Sequence, residues 1–384
     1  MLHDDKKIEE IRKEHPGFWL EKIEITEGQQ ADLFSPHYLY GGVPFKFVDL
    51  FAGIGGFRIG LSSLGGECVY SSEWDKHAVK TYRNWYNDHE IDQQDFRTVD
   101  YSEISEHDIL CGGFPCQPFS LAGVSKKTSM GTKHGFEDEA QGNLFFSILE
   151  MVKEKKPPVL FFENVKNLKS HDDGRTWRII EESLHSAGYH VFNKILDAKG
   201  WVPQHRERIF IVCFNMDIFG SQKESVSFQF PEFPKSRISL SEILEKNPDK
   251  KYMLSDKLWE YLENYKQKHT DAGNGFGYGI IELGDRHSAS TRTLSARYHK
   301  DGSEILIREK GWKNPRRLTP REASLLQGFD DDLALLFGHK SGFPQCVSDT
   351  QSYRQFGNAV VPRVVQAVGK NIRSVMIKQL LSLP

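Results

Sequence analysis

The chain has 384 residues, 38% of them hydrophobic and 12% aromatic, with a formal net charge of −3 at pH 7. That length and apolar content can bury a sizeable core, and more than one domain is expected. No stretch of about 18 uncharged apolar residues occurs and no charged-then-apolar leader follows Met1, so neither a membrane span nor a secretory signal is read and the cytoplasm is the expected location. The five cysteines are odd in number and lack Cys-x-x-Cys spacing, which argues against a disulfide framework or a zinc cluster. Free thiols and no metal are expected. The net charge alone does not point to nucleic acid, so its distribution matters.

Residues 1–44 open with the charged run Asp4-Asp5-Lys6-Lys7-Ile8-Glu9-Glu10 and read as a short helix and an irregular lead-in, an extension that docks on the core or a small partner-binding module. From Phe45 short apolar runs alternate with helical stretches, the signature of a parallel sheet in an α/β domain. The runs are Phe47-Val48-Asp49-Leu50, Cys68-Val69-Tyr70, Asp108-Ile109-Leu110-Cys111 and Val159-Leu160-Phe161-Phe162. Each is followed at once by unusual residues: Phe51-Ala52-Gly53-Ile54-Gly55-Gly56, Ser72-Glu73-Trp74-Asp75, the loop Gly112-Gly113-Phe114-Pro115-Cys116-Gln117-Pro118-Phe119-Ser120, and Glu163-Asn164-Val165. Ligands of open parallel sheets bind beyond the carboxyl ends of the strands, so all four sets are expected to converge on one cleft.

Two further runs, His190 to Ala198 and Ile209 to Phe214, are joined by Gly200 to Arg208 with no room for a helix, which makes them antiparallel. If the first runs with the sheet, Arg206 and Arg208 enter the second from the edge that carries Cys116 and Glu163. From 236 to 318 the α/β rhythm is lost: a helix around Leu258 to His269, a glycine-rich turn Gly273 to Gly279 and strand-like pieces suggest a second domain. That segment holds 16 Lys plus Arg against 12 Asp plus Glu, a net of +4, leaving −7 on the rest. Residues 319–347 read as a hinge, and 348–384 as a segment whose amphipathic helix returns to the catalytic domain at 45–235.

The loop from Phe51 through Gly53 and Gly55 resembles a nucleotide-binding turn, in which glycines admit a ligand to the backbone and a helix amino end faces it. Its spacing is tighter than the Gly-x-Gly-x-x-Gly of redox dinucleotide folds. Glu73 suits a ribose diol, Trp74 an adenine face and Asp95 the adenine amino group, although both acids also read as solvated loop residues. Cys116 follows a proline near a helix start, conditions that can favour thiolate over a thiol of ordinary pKa about 8.5. Cys68, Cys111 and Cys213 read instead as buried and inert. Glu163, ending a strongly apolar strand, is expected to be partly desolvated, which raises a carboxyl pKa and suits it to donate a proton.

The blocks DLFAGIGG, SSEWD, GFPCQPFSLAG, ENVKNL, PQHRERIF, RRLTPRE and QFGNAVVP, in this order between Phe47 and Pro362, resemble those of the cytosine-C5 DNA methyltransferase family. The resemblance implies a large domain with a mixed, mostly parallel Rossmann-like sheet that binds S-adenosylmethionine, a smaller irregular target-recognition domain at 236–318, and duplex DNA between them. By resemblance, Cys116 adds to cytosine C6, Glu163 contacts N3 and the exocyclic amine, and Arg208 holds the carbonyl oxygen with Arg206 and Gln204 supporting. The chemistry needs such a set, because C5 is a poor nucleophile until a thiolate adds at C6 and protonation at N3 absorbs the charge. C5 and C6 are out of reach inside a duplex, so the base must be flipped out.

The same resemblance places Phe51, Gly53, Gly55, Glu73, Trp74, Asp95, Phe96 and Asn358 at the cofactor, with Pro115 at the boundary of the cytosine pocket. Ala359 stands where the family usually has serine, and Gln94 where it commonly has glycine. Leu121 to Gly142 matches a mobile loop closing over DNA, so Ser120, Lys126 and Lys127 are implied as DNA contacts. Gly273 to Gly279 and Ser290 to Tyr298 resemble Dcm-type enzymes, which implies the inner cytosine of a CC-x-GG site. Arg292 and Arg297 are candidates for bidentate guanine contacts or for structural roles. A protein of this description is expected to be a monomer, either solitary or protecting DNA from a restriction endonuclease that acts independently. A tRNA methyltransferase, a catalytically dead binding protein and an NAD oxidoreductase are the alternatives. The Dcm-like wording of the recognition segment, the intact Cys116, Glu163 and Arg208, and the glycine spacing speak against them in turn.

Overall fold

The computed structural model describes residues 45–114, 144–235, 238–273, 277–285, 287 and 290–382. The strand-like runs become β1 Phe45–Leu50, β2 Gly66–Ser72, β3 Ile109–Gly112, β4 Val159–Val165, β5 Tyr189–Asp197 and β6 Glu207–Asn215. They form one sheet in the order β2-β1-β3-β4-β6-β5. β1 pairs in parallel with β2 and β3, and β3 with β4. β6 runs antiparallel to both β4 and β5, so β5 runs with the first four strands. The expected mixed sheet with a single reversed strand is therefore present. Its strand order turns at β1, with β2 on one side and β3 on the other, and this is where an open sheet leaves a crevice for ligands.

Around the sheet lie α1 Gly56–Ser62, α2 Lys76–Tyr86, α3 Leu144–Lys155, α4 Arg175–Ser186, α5 Asp256–Asp271, α6 Pro320–Leu326, α7 Asp349–Asn358 and α8 Pro362–Ser382. β1 is apolar on both sides because both are covered. Phe45 and Phe47 pack in a cluster with Leu61 of α1 and Val364, Val368 and Ile372 of α8. Val48 and Leu50 belong to a second cluster with Phe145, Ile148, Trp177 and Ile180 of α3 and α4. The return of α8 to the catalytic layer depends on Gly60, where a Cβ would stand 2.6 Å from Val365 Cγ1. A larger residue would hold the two helices apart.

The segment beyond 238 differs from expectation. It has α5 and two two-residue strands, β7 Ile280–Ile281 and β8 Leu306–Ile307, paired in parallel. Leu254, Leu262 and Leu306 make a small cluster of their own. Leu240, Leu294, Tyr298, Ile305 and Leu318, however, share a cluster with Ile54, Tyr82 and Trp85. Residues 238–318 thus keep a small apolar cluster of their own and otherwise add to the core of the first layer. Residues 319–347, read as a hinge, enter that same core through Ala323, Leu326, Phe329, Leu333 and Phe343. The reason lies in a few polar side chains. Thr319 and Glu322 form a capping box at the start of α6, and Arg316, fully buried, donates from Nη1 and Nη2 to the two Glu322 carboxylate oxygens at 2.6 and 2.8 Å. Among the described residues no helix is long and apolar enough to cross a membrane.

Candidate active site

β1 runs into a turn that only unusual backbone can make. Phe51 takes a left-handed φ of 54°, followed by Gly53 at 57° and Gly55 at 82°. Glycine adopts this region freely, whereas a bulky residue there is strained. The strain is held by bonds to the neighbouring strand end: Ala52 N–H donates to Ser72 O at 2.9 Å and Gly53 N–H to Glu73 Oε2 at 2.8 Å. The other oxygen of Glu73 accepts Asp75 N–H at 2.7 Å. Burial lifts the Glu73 carboxyl above its ordinary value, and these backbone donors act against the rise.

Beside Glu73, Trp74 is 69% exposed. It lines a hollow of about 210 Å³ with Phe51, Glu73, Asp95 and Phe96. Phe51 and Phe96 meet edge to face, 5.4 Å between centroids. Asp95 is not free there: Arg97 Nε donates to its two oxygens at 2.9 and 3.0 Å, and that guanidinium holds the carboxyl below the usual range. An adenine amino group would share the carboxylate with Arg97, a neighbour the sequence reading did not weigh.

A larger cleft of about 550 Å³ runs from Gly53 and Trp74 past Gly113 and Phe114 to Glu163 and Arg208, closed on the far side by Gln351, Arg354 and Asn358. Its deep end is set by strand register. Gly112 pairs with Leu50 and with Phe162, so Gly113, which leaves β3, lies beside Glu163, which stays in β4 paired with Phe210. A Cβ on Gly113 would lie 3.5 Å from Glu163 Oε2. The reversed β6 sets Arg208 opposite Val165, which brings its Nε to 3.1 Å from Glu163 Oε1. Burial raises the Glu163 carboxyl, while the charges of Arg208 and then Arg206 pull it back. The result is a buried acid held beside a cation, able to contact both a ring nitrogen and a carbonyl oxygen of a base.

Asn164 has a positioning role that its place at a strand end does not announce. Its Nδ2 donates to Phe114 O at 2.9 Å, fixing the last described residue before the cysteine loop. Pro115, Cys116, Ser120, Lys126 and Lys127 lie outside the described residues. The other cysteines are unsuited to nucleophilic work. Burial pushes the Cys68 thiol up to about 12 and raises those of Cys111 and Cys213 as well.

Gln204 and Arg206 are both buried. Gln204 Nε2 donates to Leu326 O at 3.2 Å and Gln327 Oε1 at 3.1 Å, and its Oε1 accepts Leu294 N–H at 2.8 Å. Arg206 donates from Nη1 to Leu294 O at 3.0 Å and from Nη2 to Gly357 O at 3.0 Å and Ala359 O at 2.9 Å. Arg206 lines the cleft, whereas Gln204 is not among the residues that line it. Asn358 lines the cleft at the end of α7. Arg292 and Arg297 are exposed, with Arg292 Nη1 donating to Gly277 O.

Comparison with known proteins gives the chain a family. The model of the family described as C-5 cytosine-specific DNA methylase matches residues 45–374. A DNA-cytosine methyltransferase of Escherichia coli K12 is 44% identical over 393 residues, spanning 91% of this chain and 80% of the relative. Type II methyltransferase M.SsoII of Shigella sonnei is 46% identical over 334 residues, spanning 86% and 81%. The crystal structure of S. pombe Dnmt2 methyltransferase superimposes with a TM-score of 0.62 at 16% identity, covering 88% of this chain and all of that one, a likeness of fold. The chain belongs to the C-5 cytosine-specific DNA methylase family and is a DNA cytosine-C5 methyltransferase.

The family's methyl donor is S-adenosylmethionine, and the residues present fit it. The left-handed glycine turn admits a ligand to the backbone, Glu73 is a carboxylate at a strand end, Trp74 offers an open aromatic face, and the cleft falls within the few hundred to about 1,000 Å³ of small-molecule sites.

Proposed function

We propose that the protein methylates C5 of the inner cytosine of a CC-x-GG duplex site, with x either A/T or any base, after flipping that cytosine into the cleft. The observation that carries this reading is the Glu163–Arg208 pair, buried at the end of the cleft where the chain leaves β3 towards Cys116. Bound S-adenosylmethionine supplies an electrophilic methyl group. Glu73 would hold its ribose, Phe51, Trp74 and Phe96 its adenine with Asp95 at the amino group, and Asn358, Gly53 and Gly55 the remainder, with Pro115 separating it from the cytosine.

Glu163, protonated to a higher pH than an ordinary carboxyl, donates to cytosine N3, and Arg208 donates to the carbonyl oxygen. Both stabilise the charge that the Cys116 thiolate pushes into the ring on bonding to C6. Once C5 is methylated, loss of its proton restores the ring and expels the thiolate. Ser120, Lys126 and Lys127 would contact DNA, and Arg292 and Arg297 would read guanines. The domain limits follow the recognition segment at 236–318, although its core is shared. A monomer in the cytoplasm, solitary or paired with an independent restriction endonuclease, fits this reading.

Transfer of labelled methyl groups to duplex DNA, with Cys116→Ser beside the wild type, tests the chemistry. The variant is expected to transfer none and to keep cofactor affinity within about twofold. Bisulfite sequencing of DNA from expressing cells tests the site, and methylated cytosines in no common five-base context would contradict it.

A further inference from the structure

We propose that Gln204 and Arg206 clasp Leu294 so that the recognition segment and the catalytic edge are mechanically one unit, which makes Arg206 a positioning residue for Arg208, Glu163 and Asn358. This rests on the reading that Glu163 and Arg208 hold the target cytosine.

Gln204 and Arg206 lie in the short lead-in to β6, and Arg208 is the second residue of that strand. Residues 291–294 run beside that lead-in. Gln204 and Thr291 form a parallel bridge, Thr291 N–H donates to Pro203 O and His205 N–H to Thr291 O, both at 2.9 Å, and Thr293 Oγ1 donates to His205 O at 2.6 Å. At Leu294 both backbone polar groups are taken by side chains, the N–H by Gln204 and the carbonyl by Arg206. Exposed Arg292 and Arg297 flank this point.

The far arm of Arg206 reaches the other wall of the cleft. Its Nη2 binds Gly357 O and Ala359 O, on either side of Asn358. Gly357 touches the recognition segment directly, since a Cβ there would stand 2.3 Å from Ala296 N. Arg206 is 2% exposed and forms no ion pair among the described residues; carbonyl oxygens alone take Nη1 and Nη2, and its buried Nε has no hydrogen-bond partner among the described residues. A lysine would keep the charge and could not serve acceptors in two directions at once. A shift of the strip carrying Arg292 and Arg297 is therefore passed through one rigid guanidinium to the cofactor wall, and through the peptide of 207 to Arg208. Site discrimination should accordingly appear in the methylation rate as well as in DNA affinity.

The test uses the full chain with Arg206→Lys and Gln204→Ala. Hydrogen exchange over 290–298 is followed with and without S-adenosylhomocysteine, and single-turnover methylation is measured on the preferred duplex and on one with an outer base pair changed. In both variants, exchange over this strip is expected to rise about tenfold and to lose the protection that the nucleoside gives the wild type. The rate on the preferred site is expected to fall about tenfold or more while DNA Kd moves less than about threefold, and discrimination in rate to shrink. Wild-type exchange and protection in the variants, or weaker DNA binding with rate and discrimination unchanged, would overturn the proposal. If Arg206→Lys does not fold, Gln204→Ala decides alone by the same readouts. Should the wild type methylate no duplex at all, the functional reading fails, and the exchange result still decides the clasp.

Discussion

At the carboxyl edge of the sheet, position is set by backbone ladders. Glu163 stands where it does because Phe162 pairs with Gly112, and Arg208 because Val165 pairs with it across an antiparallel strand. Among the described residues of 236–318, regular structure amounts to α5, the one-turn helix Leu240–Ile243, two short 3-10 turns and two two-residue strands. Position there is set largely by individual side chains: Tyr298 OH donates to Ile305 O and accepts Leu318 N–H, Arg206 and Gln204 hold the Leu294 backbone, and Arg316 pairs with the side chains of Glu309 and Glu322. A ladder tolerates loss of one side chain, whereas a tie of this second kind is lost with the residue that makes it. Substitutions at the edge should therefore alter chemistry while sparing the fold, and substitutions at a tie remote from the cleft, such as Arg316 with Glu322, should do the reverse, whereas Gln204 and Arg206 join the two regions.

The largest effect that sharpens this contrast is expected at Glu163. Glu163→Gln should lower single-turnover methylation by about 10²–10⁴-fold, the range for a lost general acid, with a smaller loss of melting temperature than Glu322→Gln because Arg208, left without its charged partner, is partly exposed to water. Since burial raises the carboxyl, the wild-type rate should fall as pH rises through its elevated pKa, and that limb should vanish in the variant.

At the ties, Glu322→Gln leaves fully buried Arg316 with only Glu309 as its charged partner. Denaturant unfolding should show a loss of about 3–5 kcal/mol, as for a broken buried pair. Cofactor binding at the remote cleft should change little in the molecules that stay folded. Equal loss of cofactor affinity would break the contrast.

The smallest effect concerns Asp49, beneath the glycine turn. Its Oδ2 accepts Arg58 N–H at 3.2 Å and its Oδ1 has no partner. Burial pushes this carboxyl from 3.8 up to about 7. Below the lower value both folded and unfolded chains carry the proton, and nothing is gained or lost. Between the two the unfolded chain ionises alone, so stability falls as pH rises, and above the upper value the loss is constant. Melting temperature measured across this window should decline in the wild type, and Asp49→Asn should flatten the decline.

Much of the edge was legible in sequence because its grammar is periodic: apolar runs ending in Phe51, Glu73, Gly113 and Glu163 mark strand ends, and strand ends in an open sheet share a cleft. The reversal of β6 followed from a connection too short for a helix. The shared core of the recognition segment was not legible, since Leu294, Tyr298 and Leu318 stand in no periodic pattern and their partners Ile54, Tyr82 and Trp85 lie more than two hundred residues away. The same holds for Arg97 on Asp95, an exposed pair that no spacing announces, and for Gln204 and Arg206, whose residue types suited a substrate contact as well as a tie.

The most direct test of the central claim is to offer duplex DNA carrying 5-fluorocytosine at the target position together with S-adenosylmethionine. Fluorine at C5 cannot leave as a proton, so methylation should stall with the sulfur–C6 bond intact. Mass spectrometry of the digested complex is predicted to find the nucleotide on the peptide containing Cys116, with the transferred methyl present and no such adduct in Cys116→Ser. An adduct on another residue, or methylated DNA with no adduct at all, would contradict the account.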